Sequence, residues 1–175
     1  RCADRTDCVL HQTLLSDRIL GQVPVYEIGG GGRMYPPRRA KRSSAGAVDA
    51  GKTVHAYRAP QTTGDLLVEG SGRAPHFIKI DCDGHDWFVL SGFRETLRRS
   101  RPFIQFEYCD FWISGGAHLR DACKFLDELD YETFFILPDH LKLFRYSPLR
   151  ETYDYANIAA IPKERVASFS TSIQI

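Results

Sequence analysis

The sequence predicts an α/β domain, an open sheet whose strands alternate with helices and which ends in an antiparallel hairpin. Three observations carry this. Short apolar runs recur at residues 77–81, 103–108 and 132–137. Helical stripes lie between them, at 86–99 and at 119–129. Alternation of this kind implies parallel strands joined by right-handed crossovers. The connection from 132–137 to the next run, 141–146, is a short Pro138-Asp139 turn. That length permits only an antiparallel partner.

The elements follow in chain order. Residues 8–15 are apolar enough for a short strand, and 23–28 alternate as a half-buried strand does. Pro24 within the second run predicts an edge position, because proline cannot donate to a ladder. Residues 54–57 read as a short strand, and 63–67 as a turn or short helix. The run 77–81 ends in an acid, as buried parallel strands often do. Asp83-Gly84 turns the chain. Trp87, Leu90, Phe93 or Arg94, and Leu97 then fall near helical spacing, predicting one helix over 86–99. Arg98 and Arg99 complement its C-terminal dipole, and Pro102 stops it. Ser114-Gly115-Gly116 is a turn, and Leu119, Ala122, Cys123, Leu126 and Leu129 form the next helical stripe. A last apolar strand covers 155–161.

Composition sets limits. At 175 residues the chain is one domain's worth of protein, read as a single domain over 1–175. With 43% hydrophobic and 12% aromatic residues it can bury a core, which excludes full-length disorder. No stretch approaches the roughly 20 apolar residues of a membrane span. A net charge of +1 makes no global case for nucleic acid or an anionic membrane as partner. Five cysteines without a CxxC pair support neither a zinc site nor a disulfide framework. Cys82, Cys109 and Cys123 sit in apolar runs and read as small buried hydrophobes, so a reducing, cytoplasmic location is expected. The chain starts at Arg1 and its only methionine is Met34, so an N-terminally incomplete domain is expected.

Gly29-Gly30-Gly31-Gly32 leads into Pro36-Pro37 and the basic cluster Arg38, Arg39, Lys41 and Arg42. A phosphate cradle needs its glycines between a strand and a helix N-terminus. Two prolines and no helical stripe point instead to a flexible loop over about 29–52. The basic cluster reads as a solvated loop. Its nucleic-acid alternative would show as a steep salt dependence of binding.

Ligands of open α/β sheets sit beyond the carboxyl ends of the parallel strands. Asp81 ends one strand there and Glu107 lies near the end of the next. Asp83 and His85 follow Asp81 directly, and Asp110 follows Glu107. Each has a structural alternative. Asp83 caps helices as readily as it binds ligands. Gly84 allows a tight turn or a close ligand approach. His85 titrates near neutrality and suits a general base, yet a surface histidine at a helix start is ordinary. A charged Glu107 inside an apolar strand points to a site or a buried network. Asp81, Asp83 and Asp110 have the oxygen donors for Mg²⁺, but no spacing demands it and no metal is assigned.

The run from Phe77 through Asp81-Cys82-Asp83-Gly84-His85-Asp86, followed by Val89-Leu90-Ser91-Gly92-Phe93, resembles the FkbM family of S-adenosylmethionine-dependent methyltransferases. Lys79, Ile80, Asp81 and Gly84 match its Lys-Ile-Asp-Val-Glu-Gly hallmark, and Asp83 stands where Glu is usual. The strand 101–107 is similar to the family's glutamate-bearing strand, 126–131 to its helix and Gly-Tyr step, and 155–162 to its closing strand with an Asn. Leu14-Leu15-Ser16-Asp17 and Gly21 resemble an earlier segment. The resemblance implies a Rossmann-like class I methyltransferase sheet, S-adenosylmethionine as cofactor, and O-methylation of a hydroxyl on a sugar or natural-product-like small molecule. It implies Asp81, Asp83, His85 and Glu107 as site-lining residues. The family's glycine-rich cofactor loop has no counterpart in this sequence, so cofactor-binding residues stay unassigned. The first βαβ unit is expected to be missing, with the bare sheet edge covered by an upstream segment or another chain. The alternative is a non-catalytic methyltransferase-like remnant serving as a structural or partner-binding module.

Overall fold

The computed structural model describes residues 13–28, 33–35, 54–169 and 173–174. Ten strands and five α-helices among them form two sheets. Residues 8–12 of the strand predicted over 8–15, the glycine run and the basic cluster lie outside the described residues. Within the expected loop, Arg33–Tyr35 is described, and it is a strand.

The smaller sheet has the order β1-β4-β2-β3, from β1 (Leu14–Ser16), β2 (Gly21–Ile28), β3 (Arg33–Tyr35) and β4 (Val54–Thr63). β4 runs ten residues, much longer than the four the sequence predicts. β2 is an inner strand, not an edge. Pro24 pairs with Arg58 of β4, while β3 reaches only Tyr26–Ile28 on the other side. At Pro24 itself, therefore, β4 is the single described strand neighbour.

The larger sheet has the order β10-β8-β7-β9-β6-β5. Its strands are β5 (Phe77–Lys79), β6 (Phe103–Tyr108), β7 (Tyr131–Ile136), β8 (Leu141–Leu143), β9 (Ala156–Pro162) and β10 (Ile173–Gln174). β5 and β6 are parallel. β7 and β8 form the predicted antiparallel hairpin. β9 is antiparallel to both neighbours and wedges between β6 and β7, so β7 runs parallel to β6. β5 has β6 as its one strand neighbour among the described residues.

The predicted helix over 86–99 is two helices, α2 (Asp86–Ser91) and α3 (Arg94–Ser100). The break has a physical cause. A Cβ at Gly92 would collide with the Ser16 carbonyl oxygen, so β1 abuts the helix there. Asp65, on α1 (Gly64–Ser71), then stabilises the new helix start. Its N–H donates to the Gly92 carbonyl at 2.9 Å. Its carboxylate accepts from the backbone N–H groups of Glu95 at 3.0 Å and Thr96 at 2.7 Å. An acid supplied from another helix thus satisfies the first-turn donors of α3.

The residues predicted as a turn at 114–116 end α4 (Phe111–Gly115), with Gly116 in the left-handed region at φ 68°. α5 (Leu119–Glu128) buries Leu119, Ala122 and Leu126 of the predicted stripe, with Phe125 in addition, while Cys123 is only partly buried. Strand β6 alternates strictly. Ile104, Phe106 and Tyr108 enter the core shared with the helices, while Phe103, Gln105 and Glu107 are half-buried on the opposite face. No helix among the described residues is long and apolar enough to cross a membrane.

Asp65→Ala removes two acceptors at a helix N-terminus. It should lower stability by about 1–2 kcal/mol in urea unfolding, with an unchanged m-value. An effect within measurement error would show that the break at Gly92 holds without it.

Candidate active site

The site begins with a turn. β5 delivers Asp81 to its carboxyl end, where the carboxylate takes an ion pair from Lys79 at 2.7 Å. Lys79 is level with Gln105 in the parallel register, so Asp81, two residues on, is level with Glu107. The chain then reverses through Asp83 and Gly84, at φ 47° and 94°, closed by the His85 N–H to the Cys82 carbonyl at 3.0 Å. Asp83 occupies a left-handed conformation that Asp tolerates better than most residues. It does not cap α2, whose cap position is His85. Gly84 is demanded by packing, since a Cβ there would strike Phe111.

Asp86 anchors this turn. Its fully buried carboxylate accepts from the backbone N–H of Gly84 at 3.1 Å and of Cys82 at 3.4 Å. A third bond, from the N–H of Glu107 at 3.4 Å, reaches the neighbouring strand. Burial pushes its pKa up to about 6, against the opposing pull of those donors. The carbonyl of Glu107 is held in turn by the indole N–H of fully buried Trp112 at 3.0 Å. Both backbone groups of Glu107 are therefore fixed.

The side chain of Glu107 is half-buried on the outer face of the sheet. Its pKa is raised, first by burial and then by the Asp81 charge, with Asp83 adding to the effect. Hydrogen bonds from Cys109 and Tyr155 oppose the rise. Across the ladder its partner is Asn157. The Asn157 amide donates to the Tyr155 hydroxyl at 2.9 Å and accepts from Gln105 at 3.2 Å. Glu107, Tyr155, Asn157 and Gln105 thus form one polar strip.

Two adjoining clefts open at this end of the sheet. A polar one of about 640 Å³ is lined by Glu107, Asp110, Phe111, Tyr153 and Asp154, among others. A more apolar one of about 400 Å³ lies beside it, and the two share Thr152, Asp154 and Tyr155. Their common wall is braced by Glu151. Its carboxylate accepts from the N–H groups of Leu119 at 2.7 Å and Arg120 at 3.2 Å, and from the Tyr108 hydroxyl at 3.1 Å. The Tyr108 hydroxyl also accepts from the N–H of Tyr153 at 2.9 Å.

Of the four residues singled out in the sequence, Asp81, Asp83 and Glu107 act on one another at the strand ends. His85 stands apart. It is buried, its Nε2 lies 3.2 Å from the Ser16 hydroxyl, and its ring packs on Phe88. Like Asp81 and Asp83 it lines neither cleft; of the four, Glu107 alone does. The exposed helix-start histidine allowed by the sequence is likewise not what is observed. The sequence assigned no role to Asp86, Trp112, Glu151 or Tyr155. Among the described residues no group of three or more potential metal ligands converges. Burial raises the thiols of Cys82 and Cys123 to about 12 and that of Cys109 to about 11, which makes them poor nucleophiles.

The family model described as "Methyltransferase FkbM domain" matches residues 3–133. The chain belongs to the FkbM methyltransferase domain family. Asp81, Asp83, Asp86 and Glu107 all fall inside the matched FkbM segment. The strip residues Tyr155 and Asn157 lie beyond it, although the tertiary structure sets them against Glu107. Comparison with curated proteins and with solved structures yields no match.

The raised pKa of Asp86 has a definite sign. Its stabilising contribution is complete below the ordinary carboxyl pKa and is lost as pH rises through about 6. Relative to Asp86→Asn, the wild-type chain should gain up to about 1.4 kcal/mol per pH unit on going from pH 6 to pH 4. Urea unfolding of both proteins across that range checks this, and parallel pH profiles would refute it.

Proposed function

We propose that this FkbM domain is an S-adenosylmethionine-dependent methyltransferase that methylates a hydroxyl on a sugar or natural-product-like small molecule. The observation that carries the proposal is Glu107, which lines the polar cleft near the end of β6 and whose pKa burial and the charges of Asp81 and Asp83 raise. The strand order β7-β9-β6-β5, with one antiparallel strand inserted, supports a Rossmann-like class I sheet. The cofactor fits the site on charge, because a sulfonium cation is complemented by the carboxylates of Glu107, Asp110 and Asp154 that line the polar cleft. Among the described residues no strand enters a helix through a glycine-rich turn, so the residues for its nucleoside part stay unassigned. When bound, the cofactor supplies an electrophilic methyl carbon.

The remaining chemistry belongs to this chain. Glu107, with a raised pKa and a fixed backbone, is placed to take the proton that an acceptor hydroxyl releases. Tyr155 and Asn157 orient the carboxylate and offer hydrogen bonds to the acceptor. The gain from such positioning is entropic, because the reacting groups are held where collision would otherwise bring them together only rarely. Asp81 keeps Glu107 basic through like-charge repulsion.

Calorimetric titration with S-adenosylmethionine should show binding, and its absence sinks the enzymatic reading. Once an acceptor is in hand, Glu107→Gln should lower turnover by about 100-fold or more while cofactor affinity is kept. The acid limb of the pH–rate profile should lie above the ordinary glutamate range, since protonation of the base abolishes activity. Asp81→Asn removes a neighbouring negative charge and should move that limb to lower pH. A limb that stays in place would dissociate Asp81 from the base.

A further inference from the structure

The geometry points to a bipartite acceptor, in which the methylated hydroxyl is carried by a molecule with an apolar, aryl-like body. This rests on the methyl-transfer reading and names the substrate class of the same site. A small polar acceptor needs only the cleft beside Glu107. The second cleft shares its wall but has different chemistry. Phe135, Ile136 and Leu137 line it from the carboxyl end of β7, Leu119 from the start of α5, and Ala156 from the start of β9.

Phe135, the ring on this side of the cleft, is held in place from behind by the buried Phe144. The rings of Phe135 and Phe144 lie 4.5 Å apart, and the Arg150 guanidinium covers both at 5.7 Å. A planar apolar group entering the cleft meets Phe135, Ile136, Leu137, Leu119 and Ala156 on one side, while Arg150, Thr152, Asp154 and Asn157 supply its polar rim. At about 400 Å³ the cleft is within the size range of small-molecule sites and admits a single ring. Tyr155 stands on the partition, 67% exposed, and lines both clefts. One ligand can therefore reach both across it. Its hydroxyl would face Glu107 while its apolar body lies along Phe135 and Leu137.

The test compares two probes on the full chain without cofactor, 4-nitrophenyl β-D-glucoside and methyl β-D-glucoside, by calorimetry and protein NMR. The aryl glucoside should bind about tenfold or more tightly, as burial of an added apolar ring requires. Its signal changes should fall on Leu119, Leu137 and Ala156. Ala156→Trp fills the cleft and should erase the preference. If that variant does not give a native circular dichroism spectrum, Leu137→Asp at the partly exposed rim serves the same purpose. Equal affinities, no binding of the aryl probe, or a preference that survives these substitutions would overturn the inference. Cofactor binding is measured separately, so failure of the methyl-transfer reading and failure of the bipartite acceptor give different results.

Discussion

The carboxylate of Asp86 holds together three stretches of backbone that would otherwise be independent. It accepts from Cys82 and Gly84 in the turn after β5, and from Glu107 in β6. In such buried or part-buried surroundings a donor left without an acceptor costs about 1–3 kcal/mol. With it, the turn that carries Asp83 is locked to the strand that carries Glu107. The carboxylates of Asp81 and Asp83 then have a fixed relation to that of Glu107. Burying a charge to achieve this is costly, and the raised pKa of Asp86 measures that cost.

The same economy appears at the junction of the two sheets. Gly92 lets β1 approach the helical layer, and Ser16 takes part both there and at His85. The approach interrupts the helix, which exposes new N-terminal donors. Asp65 satisfies them from α1. His85 is drawn into this junction, with its ring nitrogen toward Ser16. That placement separates it from the acids that follow it and precede it in sequence. A histidine between Gly84 and Asp86 need not face the same way as its neighbours, because a tight turn sends successive side chains in different directions.

The wall between the clefts depends on long-range contacts. Glu151 links the loop before β9 to the start of α5 and to Tyr108 at the end of β6. Asp154 and Tyr155 owe their positions to that link. The insertion of β9 between β6 and β7 then brings Asn157 opposite Glu107. Both halves of the proposed acceptor site therefore meet along one strand whose place in the sheet no local pattern announces.

Much was legible in the residues. Periodicity gave β6, β7 and α5 nearly to the residue, because apolar alternation and stripes are set by burial of one face; it also gave the β7–β8 hairpin, although β8 is three residues and not the predicted six. The position of Asp81 and Glu107 at strand ends followed from the same pattern, as did the turn at Asp83-Gly84. The split of the helix at Gly92 was not legible, since its cause is the carbonyl of a residue 76 positions earlier. Nor was the role of Asp86, because an acid in the first turn of a helix is ordinary on dipole grounds alone. The sequence by itself determined which residues can face a core and which acids end strands, because these are properties of local spacing. Only the tertiary structure decided which carboxylate is buried as an anchor, which histidine is withdrawn and which tyrosine joins the site, because those depend on contacts between segments far apart in the chain.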